Sequence, residues 1–512
     1  MRLYAPTKIA TSRAILTARS RRSLTHGAGA LSAAPFPEPI ATTSNNHHGS
    51  QLRRLYSSEK GTTPPSPPPP SSSSSTTFNP QTYLNQATTT LSAIPPKLIP
   101  DTLHPTQSHL LSVALSSYLP SICLPPGFNL NLNSPNSHQK SSPFPWPTKS
   151  SYQEEAALPP GYHLAYYPLQ TAPHLLFPDG TDADHCPGAP FTRRMWAGGR
   201  IEFLLPDNTQ QEEPTPAVVD GRKTLCVETL GVPPTVQVGK DGGKAEEQRV
   251  WVDIYRKYIT FSPETTDQEI EKVVEEVVRE SNIQAGRTTT TTTSNSEEEP
   301  EKEKEQTEGV IINELRRLVF LREREPGSKL EPPRIIRVPH KPDFSFTMTP
   351  DATLLFQFSA LTFNAHAIHL DPEYAREVEG YKERLVHGPL TLVIMLRAVE
   401  GFLRAASASG GGGGGGGGGA DGTKVSEEIK ERLSVGKGEP KQNKWEIANI
   451  EYKNLRPLFV GEEMKVCVRL LPNKQKHGDE AGLEGHKERI DVWIEAPDEG
   501  LAVKGTVGVE LR

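Results

Sequence analysis

Residues 356–396 read FQFSALTFNAHAIHLDPEYAREVEGYKERLVHGPLTLVIML, and this stretch decides the fold and the chemistry predicted for the chain. Asn364, His366 and His369 cluster near its middle, and Asp371 follows them directly. The apolar residues before the cluster are predicted to form a strand, and a helix is predicted to begin after it, at Gly388. The polar cluster is therefore expected on a loop between two apolar elements.

The helix predicted over residues 389–403 is apolar on nearly every side, as expected for a buried helix. Pro389 suits its first turn, where a missing backbone N–H is tolerated. Strands are predicted at 446–452, 464–471, 489–495 and 501–511, and the last two alternate most clearly between apolar and polar residues. A buried helix followed by antiparallel strands is an α+β pattern, in which a sheet wraps around the helix.

The upstream region also predicts strands, at residues 250–255 and 258–261, whereas residues 309–324 fit either a strand or a helix. Residues 199–206 resemble residues 450–457, since each places a strand before a proline that leads into further strands. A duplicated fold would account for this echo, and so would chance.

The first 58 residues have a composition of their own. They hold eight Arg and Lys against the single acid Glu38, with Ser, Thr and Ala between them. This composition is typical of a mitochondrial transit peptide. We therefore expect a transit peptide over residues 1–58 and a location in the mitochondrial matrix; a disordered basic tail is the alternative.

The charge and composition of the chain after residue 58 exclude several classes of protein. Without the +7 of the leader, the formal charge falls from −6 to about −13, and an acidic chain binds nucleic acid poorly. No apolar run is long enough to span a bilayer. The cysteines lack metal-ligand spacing and are predicted to be reduced structural thiols. They are Cys123, Cys186, Cys226 and Cys467.

Low-complexity tracts bound the folded regions. A Pro-, Ser- and Thr-rich linker is predicted over residues 59–77, because such a sequence cannot bury a core. A Thr-, Glu- and Lys-rich insert occupies residues 288–305, and a poly-Gly insert occupies residues 410–419. Each insert is expected to lengthen a surface loop at small entropic cost.

Three interpretations of the polar cluster compete. Its Asn, His and Asp side chains could bind a metal ion, but the spacing matches no zinc pattern and asparagine is a poor ligand, so no metal site is predicted. The histidines could also be ordinary loop residues. General acid–base catalysis is the third interpretation, because an imidazole titrates near neutral pH and can both accept and return a proton.

The same segment resembles the hydratase motif Asp-x-Asn-Pro-x-His of MaoC-like, R-specific enoyl-thioester hydratases. His369 falls on the histidine of that motif, His366 on its asparagine and Asn364 on its aspartate. Residues 358–369, FSALTFNAHAIH, are more similar still to mitochondrial 3-hydroxyacyl-thioester dehydratases of type 2 and to mesaconyl-type CoA hydratases. Further matches lie at residues 194–203, 379–381, 386–390 and 454–458.

This resemblance implies an α+β double hot-dog, in which two antiparallel sheets are each wrapped on a central helix. It implies an N-terminal hot-dog domain over residues 78–325 and a C-terminal catalytic hot-dog domain over residues 335–512. The N-terminal domain is predicted to be non-catalytic, because it contains no Asn/Asp–His hydratase motif. The implied activity is dehydration of (3R)-3-hydroxyacyl thioesters to trans-2-enoyl thioesters in mitochondrial fatty acid synthesis.

The resemblance also assigns roles to single residues. Since an amide cannot act as a base, proton transfer is expected to rest on His369, with Asn364 orienting a water or the substrate hydroxyl. His366 and Asp371 are candidates for an assisting role. Gly388 begins a helix, whose free N–H groups and positive dipole end favour negative charge, so its N–H is predicted to polarise the thioester carbonyl.

Two other functions stay open. One is hydration of a short-chain CoA ester of the mesaconyl type, which is the same equilibrium run in reverse; the other is a non-catalytic scaffold that binds acyl thioesters. The expected partner is an acyl carrier protein or a CoA thioester substrate, with no cofactor, and a homodimer is compatible with the sequence. Basic residues that could meet an acidic carrier are Arg316, Arg317, Arg322, Arg324, Arg334, Arg337 and Lys341.

Cleavage of the leader is directly testable. Residues 54–58, RLYSS, resemble an Arg-x-Tyr-Ser site for a matrix protease. N-terminal sequencing of the protein from isolated mitochondria should therefore find a mature terminus near residues 56–58. An intact Met1, or recovery of the protein in the cytosol, would contradict this prediction.

Overall fold

The computed structural model describes residues 78–126, 128, 157–204, 217–239, 245–287, 309–323, 334–407, 425–434, 444–472 and 487–511. The predicted transit peptide, the predicted linker and both predicted inserts lie outside these residues.

The described residues include seven α-helices and eleven strands. The helices are α1 (Pro80–Ser92), α2 (Pro105–Leu115), α3 (Asp267–Gln284), α4 (Ala352–Thr362), α5 (Ala367–Leu370), α6 (Gly388–Ser407) and α7 (Glu427–Leu433). The strands are β1 (Lys97–Thr102), β2 (Phe191–Phe203), β3 (Lys223–Leu230), β4 (Thr235–Gln237), β5 (Arg249–Thr260), β6 (Val310–Arg322), β7 (Phe344–Met348), β8 (Trp445–Asn454), β9 (Met464–Leu470), β10 (Lys487–Glu495) and β11 (Leu501–Leu511).

The strands form one continuous antiparallel sheet in the order β1-β3-β5-β6-β2-β8-β11-β10-β9-β7, and β4 pairs with β5. The two halves have the same strand order when each is followed from the edge of the sheet to its centre. In each half the first strand in sequence lies at the edge, the third strand lies next to it, and the second strand lies at the centre. The halves meet where β2 pairs with β8, and Ile201 lies opposite Ile450. Both residues belong to the segments that echo each other in the sequence, so the shared topology favours duplication over chance.

The second half is wrapped around α6, as the sequence predicts. Residues on every side of this helix are buried, and the helix packs against β8, β9 and β10. It begins one residue before the predicted helix and ends four residues after it. Burying an apolar helix against the concave face of the sheet accounts for most of the large core cluster.

The first half covers its sheet differently. Val274 and Val277 of α3 pack on Leu225 and Val227 of β3. Cys226 points to the opposite face, because side chains alternate along a strand, and that face is covered by a 3-10 turn at Tyr162–Ala165. The α+β class is confirmed, as is a sheet wrapped on a central helix in the second half. The expectation of two separate sheets, each with its own central helix, is not met, because the strands form one continuous sheet and, among the described residues, no long helix lies inside its first half.

One element prediction is wrong. The apolar residues before Asn364 form the helix α4, not a strand. Asp351 caps this helix by accepting a hydrogen bond of 2.9 Å from the Leu354 N–H. An apolar run this short fits a buried strand or a buried helix equally well, and the acidic N-cap is the signal that distinguishes them. Residues 309–324, which the sequence left open, contain β6.

The cysteines and the helices agree with the bulk properties of the sequence. All four cysteines are buried and free. Within the part of the chain that the structure describes, no helix combines the length and the apolarity needed to cross a bilayer.

Candidate active site

A cavity of about 800 Å³ lies between the two halves of the sheet and is lined by residues of both. Four of the predicted site residues line it, namely Asn364, His366, His369 and Gly388. The fifth, Asp371, does not line the cavity. Its exposed carboxylate instead accepts hydrogen bonds from the N–H groups of Glu373 and Tyr374, at 2.8 and 3.1 Å. Asp371 therefore lies apart from the other four residues, and its assisting role stays a prediction.

The turn that carries the polar cluster begins at a residue in an unusual conformation. Phe363, which ends α4, has a φ of +52° in the left-handed region, although it is not a glycine. The Asn364 N–H then donates to the Ser359 carbonyl at 2.9 Å, and the Asn364 Oδ1 accepts from the His366 N–H at 3.1 Å. Such strain costs of order 1–3 kcal/mol and is found mostly where a functional loop must be aimed.

His369 is held by one ring nitrogen. Its Nδ1 lies 2.8 Å from the Leu385 carbonyl oxygen, which can only accept, so Nδ1 carries the proton. The other ring nitrogen, Nε2, is thereby left as the basic nitrogen. Burial, reinforced by the positive charge of Arg194 and opposed by the Leu385 hydrogen bond, lowers the pKa of His369 to about 4. This imidazole is therefore neutral, and able to accept a proton, at physiological pH.

His366 is a second buried imidazole beside the first. Its ring meets the His369 ring edge to face, with 5.5 Å between the centroids, and its Nε2 lies 3.8 Å from Asp179 Oδ2. Burial first, and then the neighbouring His369 and Arg194, hold the pKa of His366 well below its usual range. It is therefore neutral too.

Sequence reasoning missed a third imidazole. His387 is 0% exposed, and its ring is stacked on that of His369 with 3.7 Å between the centroids. Its Nε2 lies 2.8 Å from Ser359 Oγ. Burial, with smaller contributions from His369 and His366, holds the pKa of His387 well below its usual range. The signal was present as the histidine directly before Gly388, but a single histidine has no spacing to interpret.

Gly388 is the first residue of α6, so its N–H has no partner within the helix. A Cβ at this position would lie 2.9 Å from both Asn454 Nδ2 and Trp196 Cβ, which leaves no room for a side chain. Asn454 and Trp196 form the cavity wall beside Gly388, and the Asn454 amide fixes this wall by donating a hydrogen bond to the Trp196 carbonyl at 2.8 Å. Glycine thus lets a ligand approach a free N–H at the positive end of a long helix.

A first-half loop supports the turn that carries the polar cluster. The Asp179 carbonyl accepts a 2.7 Å hydrogen bond from the Ala367 N–H. A Cβ on the adjacent Gly180 would lie only 2.0 Å from the Ala365 carbonyl oxygen. Arg194 of β2 reaches Asp182 of the same loop at 2.6 Å and also lines the cavity. The first half therefore fixes the turn through backbone contacts as well as charge.

Carboxylate, imidazole and thiol groups are not arranged for a metal here. Among the described residues, no group of three or more His, Cys, Asp or Glu side chains has a geometry that could hold an ion. The three imidazoles instead contact one another and the backbone.

Comparisons with known proteins show which families the chain resembles. Residues 161–215 and 231–409 match the family model of hydroxyacyl-thioester dehydratase type 2. The chain is 45% identical over 92 residues to the mesaconyl-C(4)-CoA hydratase of Chloroflexus aurantiacus, which is 18% of this chain and 32% of that protein. It is 27% identical over 244 residues to the mitochondrial hydroxyacyl-thioester dehydratase type 2 of Schizosaccharomyces pombe.

That second match covers 47% of this chain and 66% of the yeast protein, so the chain spans about one third and just under two thirds of these two relatives. A similar solved structure is a MaoC-like dehydratase from Phytophthora capsici, with a TM-score of 0.42 and 12% identity. It matches over 83% of this chain and 97% of its own.

The Gly180 contact yields a prediction with a matched control. Gly180 and Gly221 both have positive φ, +80° and +87°, but a Cβ on Gly221 would meet nothing within 4 Å. Both Gly→Ala variants should lose about 1–2 kcal/mol of stability from the backbone conformation. Only Gly180→Ala should also displace the turn, and any catalytic activity that depends on the turn should fall on the order of a hundredfold in kcat/KM. Equal activity of the two variants would contradict support of the turn by this loop.

Proposed function

We propose that this protein dehydrates (3R)-3-hydroxyacyl thioesters to trans-2-enoyl thioesters, in mitochondrial fatty acid synthesis. The observation that carries the proposal is a neutral, half-buried His369 with its Nδ1 occupied, in the cavity that Gly388 at the start of α6 also lines. In the reaction His369 Nε2 takes the α proton of the substrate. The β hydroxyl leaves as water after receiving a proton from the imidazolium, so the histidine ends the cycle neutral.

The α proton becomes acidic only if the thioester oxygen is stabilised as it gains negative charge. The Gly388 N–H, at the N-terminus of the 20-residue helix α6, is the proposed donor. Pro389 follows and has no N–H, so it cannot share this task. Asn364 Oδ1 is engaged by the His366 N–H, which leaves the amide nitrogen of Asn364 to orient the hydroxyl or a water. His366 is assigned a supporting role.

A hydratase acting on a short-chain CoA ester is the second candidate. It uses the same residues in the reverse direction, and the 45% identity to a mesaconyl-C(4)-CoA hydratase favours it. A non-catalytic scaffold for acyl thioesters is the third candidate, from a different class. It is disfavoured because a scaffold would not need a neutral base beside a free helix N-terminus.

The carrier, the location and the assembly are part of the proposal. We propose that the substrate is an acyl carrier protein or CoA thioester, that the first half is non-catalytic, and that the enzyme acts in the matrix, with a homodimer as a compatible assembly. Of the basic residues considered for a carrier, Arg316 is buried and paired with Glu314 at 2.7 Å, and Arg317 is paired with Asp253. Arg334, Arg337 and Lys341 are exposed and remain candidates.

An assay of the mature chain tests the function. It should be measured in both directions, with 3-hydroxyacyl and 2-enoyl thioesters of several chain lengths on acyl carrier protein and on CoA. Turnover of longer acyl chains supports the first candidate, and turnover restricted to a short CoA ester supports the second. Binding of thioesters without any turnover would leave only the scaffold.

Substitutions in the same assay test the assigned roles. His369→Ala should lose on the order of a hundred- to ten-thousand-fold in kcat while staying folded, because the general base is removed. Asn364→Ala should lose less, because it removes orientation and leaves the base, and His366→Ala should be milder than His369→Ala. If His366→Ala is inactive and His369→Ala is not, the base is assigned to the wrong histidine. Full activity of both variants would remove the acid–base interpretation altogether.

The pH dependence of kcat/KM gives a separate test. The reaction needs neutral His369, and burial lowers its pKa to about 4, so activity should fall only as the pH drops through about 4. Asn364→Asp should stay active but move this acid limb to higher pH, since a nearby carboxylate favours the imidazolium. Circular dichroism across the range separates titration from acid unfolding. A wild-type acid limb near pH 6.5, the pKa of an ordinary histidine, would contradict the assignment of His369 as the base.

A further inference from the structure

The His387 imidazole lies directly against that of His369, the proposed base. The planes of the His387 and His369 rings differ by 22°, and their centroids are 3.7 Å apart, so one ring covers a face of the other. His387 directly precedes α6, the buried helix on which the second half is built, and its backbone carbonyl accepts from the Thr391 N–H at 3.1 Å. Its backbone is therefore fixed by a rigid element.

Two contacts hold the His387 side chain itself. Ser359 Oγ lies 2.8 Å from Nε2, and the Phe358 ring meets the imidazole edge to face with 5.1 Å between centroids. Ser359 also accepts, through its backbone carbonyl, the 2.9 Å hydrogen bond from the Asn364 N–H. Ser359 of α4 therefore anchors both the His387 imidazole and the turn that carries the polar cluster.

We propose that His387, held by Ser359, is a positioning residue for His369, an inference that rests on the proposed function of His369. The hydrogen bond to Leu385 fixes one edge of the His369 ring but leaves the ring able to rotate about that bond. A planar ring stacked on its face opposes this rotation, so Nε2 keeps a single direction. The stacked ring also keeps water from that face.

The charges around His369 identify what His387 contributes. His366 and His387 face it as neutral imidazoles, and Arg194 approaches from β2 with its charge balanced by Asp182. Asp179 lies beyond His366, at 3.8 Å from its ring. Among the described residues none hydrogen-bonds to the buried Nδ1 of His387, and the neutral ring adds a flat uncharged surface. A phenyl ring could provide such a surface, whereas a methyl group could not.

The test compares variants at His387 and Ser359 with a matched control. The double variant His387→Phe with Ser359→Ala keeps a planar ring and leaves no hydroxyl unpaired, so its kcat should stay within about tenfold of wild type. His387→Ala should lose on the order of a hundredfold in kcat with little change in KM. Water entering the space should also move the acid limb of kcat/KM upward from about 4 toward 6.5.

His163→Ala is the control, because it removes an equally buried imidazole that packs on Tyr258 and Phe203 of the first half. It should cost stability without moving the acid limb. If His387→Ala does not fold, His387→Leu takes its place, since leucine fills the space without a planar ring. Wild-type kcat and an unmoved limb in the folded variant would overturn the positioning role.

An NMR titration of the His369 ring separates this inference from the proposed function. It requires no turnover, so it remains informative even if the wild type converts no thioester and the proposed function fails. The His369 pKa should rise in His387→Ala and stay unchanged in His163→Ala. An unchanged His369 titration in His387→Ala would overturn the inference, whereas inactivity of the wild type alone would overturn only the function.

Discussion

Strand β2 pairs with β8, and this ladder of hydrogen bonds joins the two halves into one sheet. Each half of the sheet would otherwise end in an exposed edge strand, and the pairing satisfies both edges at once. It requires a close backbone approach, since a Cβ on Gly198 would lie 2.3 Å from the Tyr452 carbonyl oxygen. The register of β2 against β6 shifts between Trp196 and Gly198, and such a bulge re-aims the side chain beside it. Trp196 thereby reaches the wall around Gly388.

Through Trp196, strand β2 also connects the site to paired charges in the first half of the sheet. The described part of the first half has no long helix inside its sheet and instead buries paired charges there, among them Glu228 with Arg256 at 2.7 Å and Glu314 with Arg316 at 2.7 Å. Buried charges are tolerated only when paired, so these side chains are held rigidly. The Arg316 guanidinium lies 5.1 Å from the centre of the Trp196 ring. The ionic interior thus supports the wall beside the proposed thioester-binding N–H.

Sequence reasoning succeeded where a single physical pattern dominated. The all-apolar helix after Pro389 and the alternating strands that follow were predicted to within a few residues. The strands alternate with a clear period of two, and the apolar run after Pro389 is too long for an ordinary strand. It failed at α4, where an apolar run has no informative period and the cap at Asp351 was overlooked. The lack of a long first-half helix among the described residues and the stacking of His387 could not be predicted, because they depend on contacts between separate segments. The hydrogen bonds of Asp371 are local, to N–H groups two and three residues ahead, and were overlooked.

The asparagine at position 364 follows from the electrostatics of the site. Three imidazoles lie together with little access to water, and burial keeps all of them neutral. An aspartate here could still accept the His366 N–H, so the turn does not require an amide. A buried carboxylate would, however, favour protonation of the neighbouring imidazoles. The amide keeps the geometry of the turn without that charge, so burial remains the main influence on the pKa of His369, opposed by the Leu385 hydrogen bond and reinforced by Arg194. The cost is that the side chain at 364 cannot take a proton, which is why His369 is the proposed base.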